Sequence, residues 1–159
     1  VNNTETLSVT ASGVDVTGDA TVTGSLAYRS KIVSTKSNGT TLTTAESGTI
    51  ILQSTDGAEL TLPATAAGLR YTFIWVGTAG DDFDISPHAD DKIMGSIVDN
   101  DMTNSSTRIV TASNNGGGTD NKDLQLDTGS KVGDRVTIVG DGVNGWYIEE
   151  AVGSWAFQP

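Results

Sequence analysis

Short runs in which apolar residues alternate with Thr and Ser make up much of this chain. In "RYTFIWVG", for example, the alternation places Tyr71, Phe73 and Trp75 on one face of an extended strand. A period of two, with many Thr, Val, Ile and aromatic residues, is typical of half-buried β-strands. Strands are predicted in "TLSVTA", "VDVTG", "YRSKIVSTKS", "GTIILQS", "AELTLPA", "RYTFIWVG", "DFDIS", "STRIVTAS", "KDLQLD", "DRVTIVG" and "GWYIEEA".

Turn residues separate these runs. "SNGT" at 37–40 and "STDGAE" at 54–59 contain Asn-Gly and Asp-Gly, which accept the positive φ of tight hairpins. "GDGVNGW" at 140–146 predicts a further hairpin, and "TAAG" at 65–68 a short connector. Many short strands with such turns predict an all-β fold, an antiparallel sandwich or barrel. Of the two we expect an antiparallel, jelly-roll-like β-sandwich.

The composition changes near residue 28. Residues 1–27 are small and rich in Thr, Val and Gly, whereas the aromatics follow from Tyr28 onward. We therefore expect an extended N-terminal β-arm over 1–27 and a β-sandwich knob domain over 28–159. The arm cannot bury enough surface alone, so it should pack on something else, most simply on identical chains. Its expected contact residues are Leu7, Val9, Val14, Val16, Val22 and Leu26.

The charge balance makes several partners unfavourable. With 9 basic and 20 acidic residues the formal net charge is −11, so neither nucleic-acid phosphates nor anionic membranes are expected to bind. The chain contains no Cys, so it has no disulfide framework and no thiol nucleophile.

An acidic cluster lies in "GDDFDISPHADDK". Its carboxylates are hard oxygen ligands of the kind that calcium prefers, but their spacing is not that of an EF-hand loop. We predict a solvated acidic loop with no metal and no cofactor. Calcium is the alternative, with Asp81, Asp82, Asp84, Asp90 and Asp91 as candidate ligands.

No enzyme is predicted. His88, the single histidine, lies between Pro87 and Ala89 and is expected to be a turn residue. Glu149 and Glu150 are adjacent on a predicted strand, where neighbouring side chains point to opposite faces. They are therefore not expected to form a glycosidase pair, which requires two carboxylates facing each other across a cleft.

The aromatic side chains have two interpretations. They could line a sugar-binding surface, or they could form the core of a chain that has few other large apolar residues. We predict the core, because large aromatics dominate burial energetics. The residues concerned are Tyr71, Phe73, Trp75, Trp146, Tyr147, Trp155 and Phe157.

Several motifs resemble a β-domain found in structural proteins of tailed bacteriophages, especially marine and cyanobacterial ones. They are "LTLP" (60–63), "GxxYTF" (68–73), "DKIxG" (91–95) and "GDRVTxVGDGxNGW" (133–146). The opening "VDVTGDATVTGSL" resembles arm segments of trimeric phage fibres and decoration proteins. The resemblance covers most of the chain and brings no catalytic residues with it.

The resemblance implies a homotrimeric protein on the virion surface. The first hypothesis is a capsid decoration (cement) protein that binds the major capsid protein lattice and stabilises the head. The alternative is a head-fibre or tail-fibre tip that recognises host surface glycans. A long shaft would repeat its unit many times, whereas Val-Thr-Gly occurs here only at 16–18 and 22–24. The short repeat favours the decoration protein.

Overall fold

The computed structural model describes residues 32–33, 35–89, 91–101, 106–112 and 123–157. These residues form an all-β fold, as predicted, with one short 3₁₀ turn at Thr44–Glu46. Residues 1–27, with all six predicted contact residues of the arm, lie outside the described part of the chain. The strands are β1 (Ile32–Val33), β2 (Thr40–Thr41), β3 (Thr49–Gln53), β4 (Ala58–Thr61), β5 (Arg70–Trp75), β6 (Phe83–Ser86), β7 (Lys92–Asp101), β8 (Ser106–Ala112), β9 (Leu124–Leu126), β10 (Arg135–Gly140), β11 (Gly145–Val152) and β12 (Trp155–Phe157).

The strands form two sheets that share one core. The seven-stranded sheet has the order β1-β3-β5-β10-β11-β7-β8, and the five-stranded sheet has the order β12-β9-β6-β4-β2. Aromatic side chains join them: Phe83 of β6 stacks on Trp75 of β5 with ring centroids 5.7 Å apart. Within the five-stranded sheet, Trp155 of β12 and Phe83 pack in a T-shaped arrangement with ring centroids 5.5 Å apart. The described residues thus form two mixed sheets on one core, a sandwich-like arrangement.

The sandwich is not wholly antiparallel, which corrects the prediction. The pairs β1–β3, β3–β5, β2–β4, β4–β6 and β7–β11 are parallel. The antiparallel pairs are β5–β10, β10–β11, β7–β8, β6–β9 and β9–β12. Parallel neighbours need a crossover between them, and a jelly roll built from antiparallel Greek keys has no such ladders.

The N-terminal half is wound in what we call rungs. Each rung is one strand in the seven-stranded sheet followed by one in the five-stranded sheet: β1 with β2, β3 with β4, and β5 with β6. Ile51 lies opposite Val33 on one side and Phe73 on the other. In the second sheet Leu60 lies opposite both Thr40 and Ile85. Successive rungs therefore stack in register, as in a β-solenoid.

The Asn-Gly and Asp-Gly turns are corners of the rungs and not hairpins, a second correction. Gly39 and Gly57 do have positive φ, 74° and 63°. However, the Gly39 N–H donates to Glu59 O and the Gly57 N–H to Asp82 O, so each turn extends the ladder to the next rung. The chain then continues into the opposite sheet.

A polar side chain reinforces each corner. The Asn38 Oδ1 accepts the Glu59 N–H at 3.0 Å, and the Asp56 Oδ1 accepts the Asp82 N–H at 3.2 Å. Each of these residues lies two positions before the strand that follows it, β2 or β4. The same device thus recurs in two consecutive rungs.

The core contains most of the aromatic residues, as predicted. Tyr71, Phe73, Trp75 and Trp146 are fully buried, and Trp155 nearly so. Alternation along β5 turns its three aromatics inward. Large rings at this position supply much of the hydrophobic stabilisation that a chain with so few bulky side chains needs.

The predicted 140–146 hairpin is confirmed. It joins β10 to β11, and the exposed Asp141 carboxylate accepts backbone N–H bonds from Val143, Asn144 and Gly145. These bonds hold the pKa of Asp141 well below its ordinary value. Strands β2, β7 and β12 were missed in the sequence. The run "KIMGSIVDND" has Gly95 in its interior and a polar end, which are weak strand signals.

Candidate functional site

The outward side of the seven-stranded sheet carries a group of apolar residues that we call the outer apolar face. Leu52 lies opposite Ile74, and Val139 lies opposite Tyr147, but the two pairs are four residues apart along β10, because Ile74 lies opposite Arg135 and Val139 lies opposite Arg70. The face therefore has two apolar groups with polar positions between them. Tyr147 and Val152 are each 43% exposed, and the remaining members are half-buried. The outer apolar face consists of Ile50, Leu52, Ile74, Val139, Tyr147 and Val152.

The strands below this face are apolar on both sides. In β3 the run Ile50-Ile51-Leu52 interrupts the alternation, and in β5 Ile74 lies between two core aromatics. Continuous apolar runs are typical of strands that are covered on both faces, whereas a strand with one solvated face alternates. The outer apolar face was not predicted, although "TIIL" and "FIWV" carry this signal in the sequence.

Two ion pairs cross the centre of the same surface. Arg70 Nε lies 2.7 Å from Glu149 Oε2, and Arg135 Nη2 lies 2.7 Å from Glu150 Oε1. Between them the hydroxyls of Thr72 and Thr137 form a 3.0 Å hydrogen bond. The side chain of Thr137, only 3% exposed, is buried beneath this polar strip.

The ion pairs correct the expected orientation of the two glutamates. Arg70 and Arg135 both project outward, since each alternates with a buried neighbour in its strand. The register between β10 and β11 shifts at Thr137/Ile138, a β-bulge that leaves Glu149 without a Cα partner. The bulge turns both glutamates to one face. Each carboxylate is paired with a guanidinium. The two glutamates therefore do not form a pair of carboxylates that face each other across a cleft, which a glycosidase requires.

The outward side of the five-stranded sheet has the opposite character. Glu59 lies opposite Asp84, and Asp84 lies opposite Gln125. Partial burial raises the pKa of Asp84 to about 6, and repulsion from Asp82, Asp123 and Glu59 adds to the shift. We call this surface the acidic face.

The predicted metal candidates do not converge. Asp81 and Asp82 precede β6, Asp84 lies within it, and Asp91 accepts the Thr65 N–H at 2.7 Å beyond its other end. Asp90 lies outside the described residues. No group of three or more His, Asp or Glu side chains in the described ranges is placed to hold a metal ion.

The remaining candidates are structural. His88 is exposed in a turn, where its carbonyl accepts the Asp91 N–H at 2.8 Å. Among the described residues, Tyr147 is the large aromatic that remains substantially exposed. In the part of the chain that the structure describes, no helix has the length and hydropathy needed to cross a bilayer.

No protein-family model matches the chain, and no curated protein is significantly similar to it.

Proposed function

We propose that this chain is a structural protein of a tailed-bacteriophage virion, a homotrimer that decorates the capsid surface and binds the major capsid protein. The outer apolar face would contact neighbouring copies, and the acidic face would point to solvent. The N-terminal arm over 1–27 would attach the trimer to the particle. The trimeric state and the virion location come from the resemblance described above.

The observation that carries the proposal is the outer apolar face itself. Exposed apolar groups bordered by polar residues are typical of association sites, and here two apolar groups lie on either side of a strip of paired charges. Fully burying an exposed Leu, Ile or Val side chain contributes about 1.5–3 kcal/mol, and each half-buried member of this face would contribute part of that. Closed symmetric homo-oligomers are the commonest way for identical chains to cover such a surface.

The charges also favour an arrangement in which copies meet through the outer apolar face and the acidic face points to solvent. On the outer apolar face Arg70 and Arg135 are each matched by a glutamate, so two copies can approach with little net repulsion. The acidic face carries Glu59, Asp82 and Asp84, and two such faces would repel each other. The acidic face would keep particles dispersed in solution.

The first test is the oligomeric state. Native mass spectrometry of the full chain should find a trimer, and Leu52→Arg should shift it to monomers, because an arginine would be desolvated in the contact. Val143→Arg is the control, since Val143 is 82% exposed at the tip of the β10–β11 hairpin and is not one of the six residues of this face. A monomeric unmodified chain, or equal effects of both substitutions, would reject the proposed contact.

The second test is the copy number on purified virions. Hundreds of copies per particle are expected for a decoration protein, and a few tens at most for a fibre. The alternative function is a head-fibre or tail-fibre tip that binds host glycans, and the exposed Tyr147 ring is the observation that favours it. A low copy number together with glycan binding that Tyr147→Ala abolishes would establish that alternative instead.

A further inference from the structure

Asn-Gly pairs carry a chemistry that the proposed function does not use. They occur at 38–39, 115–116 and 144–145, and the middle pair lies outside the described residues. In such a pair the glycine nitrogen can attack the asparagine side chain, because glycine has no Cβ to obstruct the approach. The structure places the two described pairs in different surroundings.

The first pair lies in the corner between β1 and β2, where Asn38 is held by its side-chain oxygen. The Asn38 Oδ1 accepts the Glu59 N–H at 3.0 Å. This donor is aimed at the atom on which negative charge develops when a nucleophile adds to Cγ, and backbone N–H groups in that position stabilise the addition, as in an oxyanion hole. Asn38 and Gly39 are both exposed, so water reaches the corner.

The Gly39 nitrogen, which would be the nucleophile, donates one neutral hydrogen bond. Its N–H lies 2.9 Å from Glu59 O. A Cβ built on Gly39 would meet no atom within 4 Å, so the residue has open space around it. Loss of this hydrogen bond frees the nitrogen, and local openings of exposed backbone cost little free energy.

The second pair lies in the β10–β11 hairpin, where the Asp141 carboxylate holds both reacting groups. Its Oδ1 accepts the Gly145 N–H at 3.0 Å, and its Oδ2 accepts an N–H of the Asn144 amide at 3.0 Å. Negative charge beside an N–H opposes loss of its proton, and charge-assisted bonds are about twice as strong as neutral ones. Gly145 is also buried, and a Cβ there would lie 2.2 Å from the Lys92 carbonyl oxygen. The nucleophile and the leaving group are therefore both fixed.

We propose that Asn38 is a site of spontaneous deamidation in the folded protein and that Asn144 is protected. The Gly39 nitrogen loses its proton to solvent and bonds to Asn38 Cγ. The bond from Cγ to Nδ2 breaks, and the nitrogen takes up a proton from water and leaves as ammonia. Water then opens the resulting succinimide ring at either carbonyl carbon, which gives aspartate or isoaspartate. Each event consumes one water, releases one ammonia and adds one negative charge.

The next corner along the chain shows what each product does to the fold. Asp56 occupies the equivalent position, and its Oδ1 accepts the Asp82 N–H at 3.2 Å. Aspartate at position 38 can therefore keep the corner. Isoaspartate adds a carbon to the main chain and would displace the Gly39 N–H from Glu59 O. The inference rests on these contacts and not on the proposed function.

Peptide mapping by mass spectrometry tests the inference on the full chain. The protein is aged in mildly alkaline buffer, once folded and once unfolded in urea, and replacement of the amide NH₂ by OH is followed at each site. In urea Asn38 and Asn144 should react at similar rates, because glycine follows both. Folding should slow the reaction at Asn144 at least about tenfold more than the reaction at Asn38. Equal protection of the two sites, or stronger protection of Asn38, would overturn the inference.

Two further measurements test the chemistry. Electron-transfer fragmentation should find both aspartate and isoaspartate at position 38, and aspartate alone would mean direct hydrolysis and would reject the attack by Gly39. Asp141→Ser replaces the carboxylate by a neutral acceptor and should accelerate deamidation at Asn144 but not at Asn38. An unchanged rate at Asn144 would contradict its protection by Asp141. These measurements need neither virions nor the oligomeric state, so they succeed or fail independently of the proposed function.

Discussion

The two halves of the chain build the same sandwich by different routes. In the N-terminal half, β1 to β6, each strand is followed by one in the opposite sheet, so neighbours within a sheet are parallel. In the C-terminal half, β7–β8 and β10–β11 are hairpins that stay in one sheet. The strands and turns of both halves have similar composition. The comparison teaches that local strand and turn chemistry does not determine which sheet the chain enters next.

The halves meet along two antiparallel ladders and in one aromatic cluster, and these should be the most sensitive to substitution. The ladders join β5 to β10 in one sheet and β6 to β9 in the other. The cluster surrounds Phe83, which contacts Phe73 and Trp75 of its own half and Trp155 of the other half. The predictions below test whether the halves unfold as one unit.

The largest effect is expected for Phe83→Ala. It removes the ring that both halves share, and large-to-small substitutions of a buried Phe cost about 3–5 kcal/mol. Urea unfolding should remain a single transition at a lower midpoint. Val143→Ala, at an exposed tip, is the control and should change stability by less than about 0.5 kcal/mol. Two separate transitions would contradict a shared core.

Gly145→Ala should be the next most damaging, and it acts on the junction between β11 and β7. Gly145 has a φ of 137°, and a Cβ there would lie 2.2 Å from the Lys92 carbonyl oxygen. Backbone strain and displacement of β7 should together cost about 3 kcal/mol or more.

Gly133→Ala is the matched control for Gly145→Ala. Its φ is also positive, 98°, but a Cβ would meet no atom within 4 Å, so it should cost only the strain of about 1–2 kcal/mol. Equal unfolding free energies for the two variants would show that the close approach of β11 to β7 is unimportant.

A smaller difference in stability is expected between substitutions of two buried tryptophans, one in each half. The Trp75 Nε1–H donates to the Thr78 carbonyl at 3.0 Å, whereas within the described residues no atom accepts a hydrogen bond from the Trp146 Nε1–H. Substitution by Phe removes a similar ring area at both sites. Only Trp75→Phe also leaves the Thr78 carbonyl without the hydrogen bond that it accepts from Trp75. That variant should be less stable than Trp146→Phe by about 1 kcal/mol, measured by denaturant unfolding. The reverse order would contradict this role of the Trp75 hydrogen bond.

The smallest effect is the response to pH of two carboxylates. The pKa of Glu46 is lowered to about 2, chiefly by its hydrogen-bonded contact with Lys36. Its contribution to stability is present above about pH 4.5 and is lost as the pH falls towards 2. Glu46→Gln should therefore destabilise the chain at pH 7, by no more than about 1 kcal/mol, and have less effect near pH 3.

Asp84 should respond in the opposite direction. Its pKa is raised from 3.8 to about 6 in the fold, so the folded chain binds this proton more tightly than the unfolded chain. The stabilising contribution is present below about pH 4 and is lost as the pH rises through 6. Asp84→Asn should raise the melting temperature at pH 7 and change it less at pH 4. A larger rise in melting temperature at pH 4 than at pH 7 would contradict the raised pKa of Asp84.

Much of the strand content could be predicted from the sequence. Alternation and Thr, Val and aromatic residues marked β3, β4, β5, β6, β9, β10 and β11, and Asn-Gly and Asp-Gly marked two real turns with positive φ. These features depend on residues close together in the chain, so local sequence carries them. The core position of the β5 aromatics follows from the same alternation.

The candidate site could be predicted only in part. The apolar run around Ile50–Leu52 indicated a strand covered on both faces, but not which strands would lie beside it. The common face of Glu149 and Glu150 depends on a bulge against β10, and that register is set by the partner strand. Burial is the main cause of the raised pKa of Asp84, and repulsion from Asp82, Asp123 and Glu59 adds to it; the last two are 39 and 25 residues away in the chain.

The sequence by itself determined that the chain forms short strands, where several of its turns lie, and which face of β5 is buried. Only the tertiary structure decided that Gly39 and Gly57 carry the chain into the opposite sheet, and that the N-terminal strands pair in parallel. The physical reason is that backbone N–H and C=O groups are the same in every strand. Alternation specifies which side chains are buried, whereas the choice and direction of a neighbour depend on how the whole core packs.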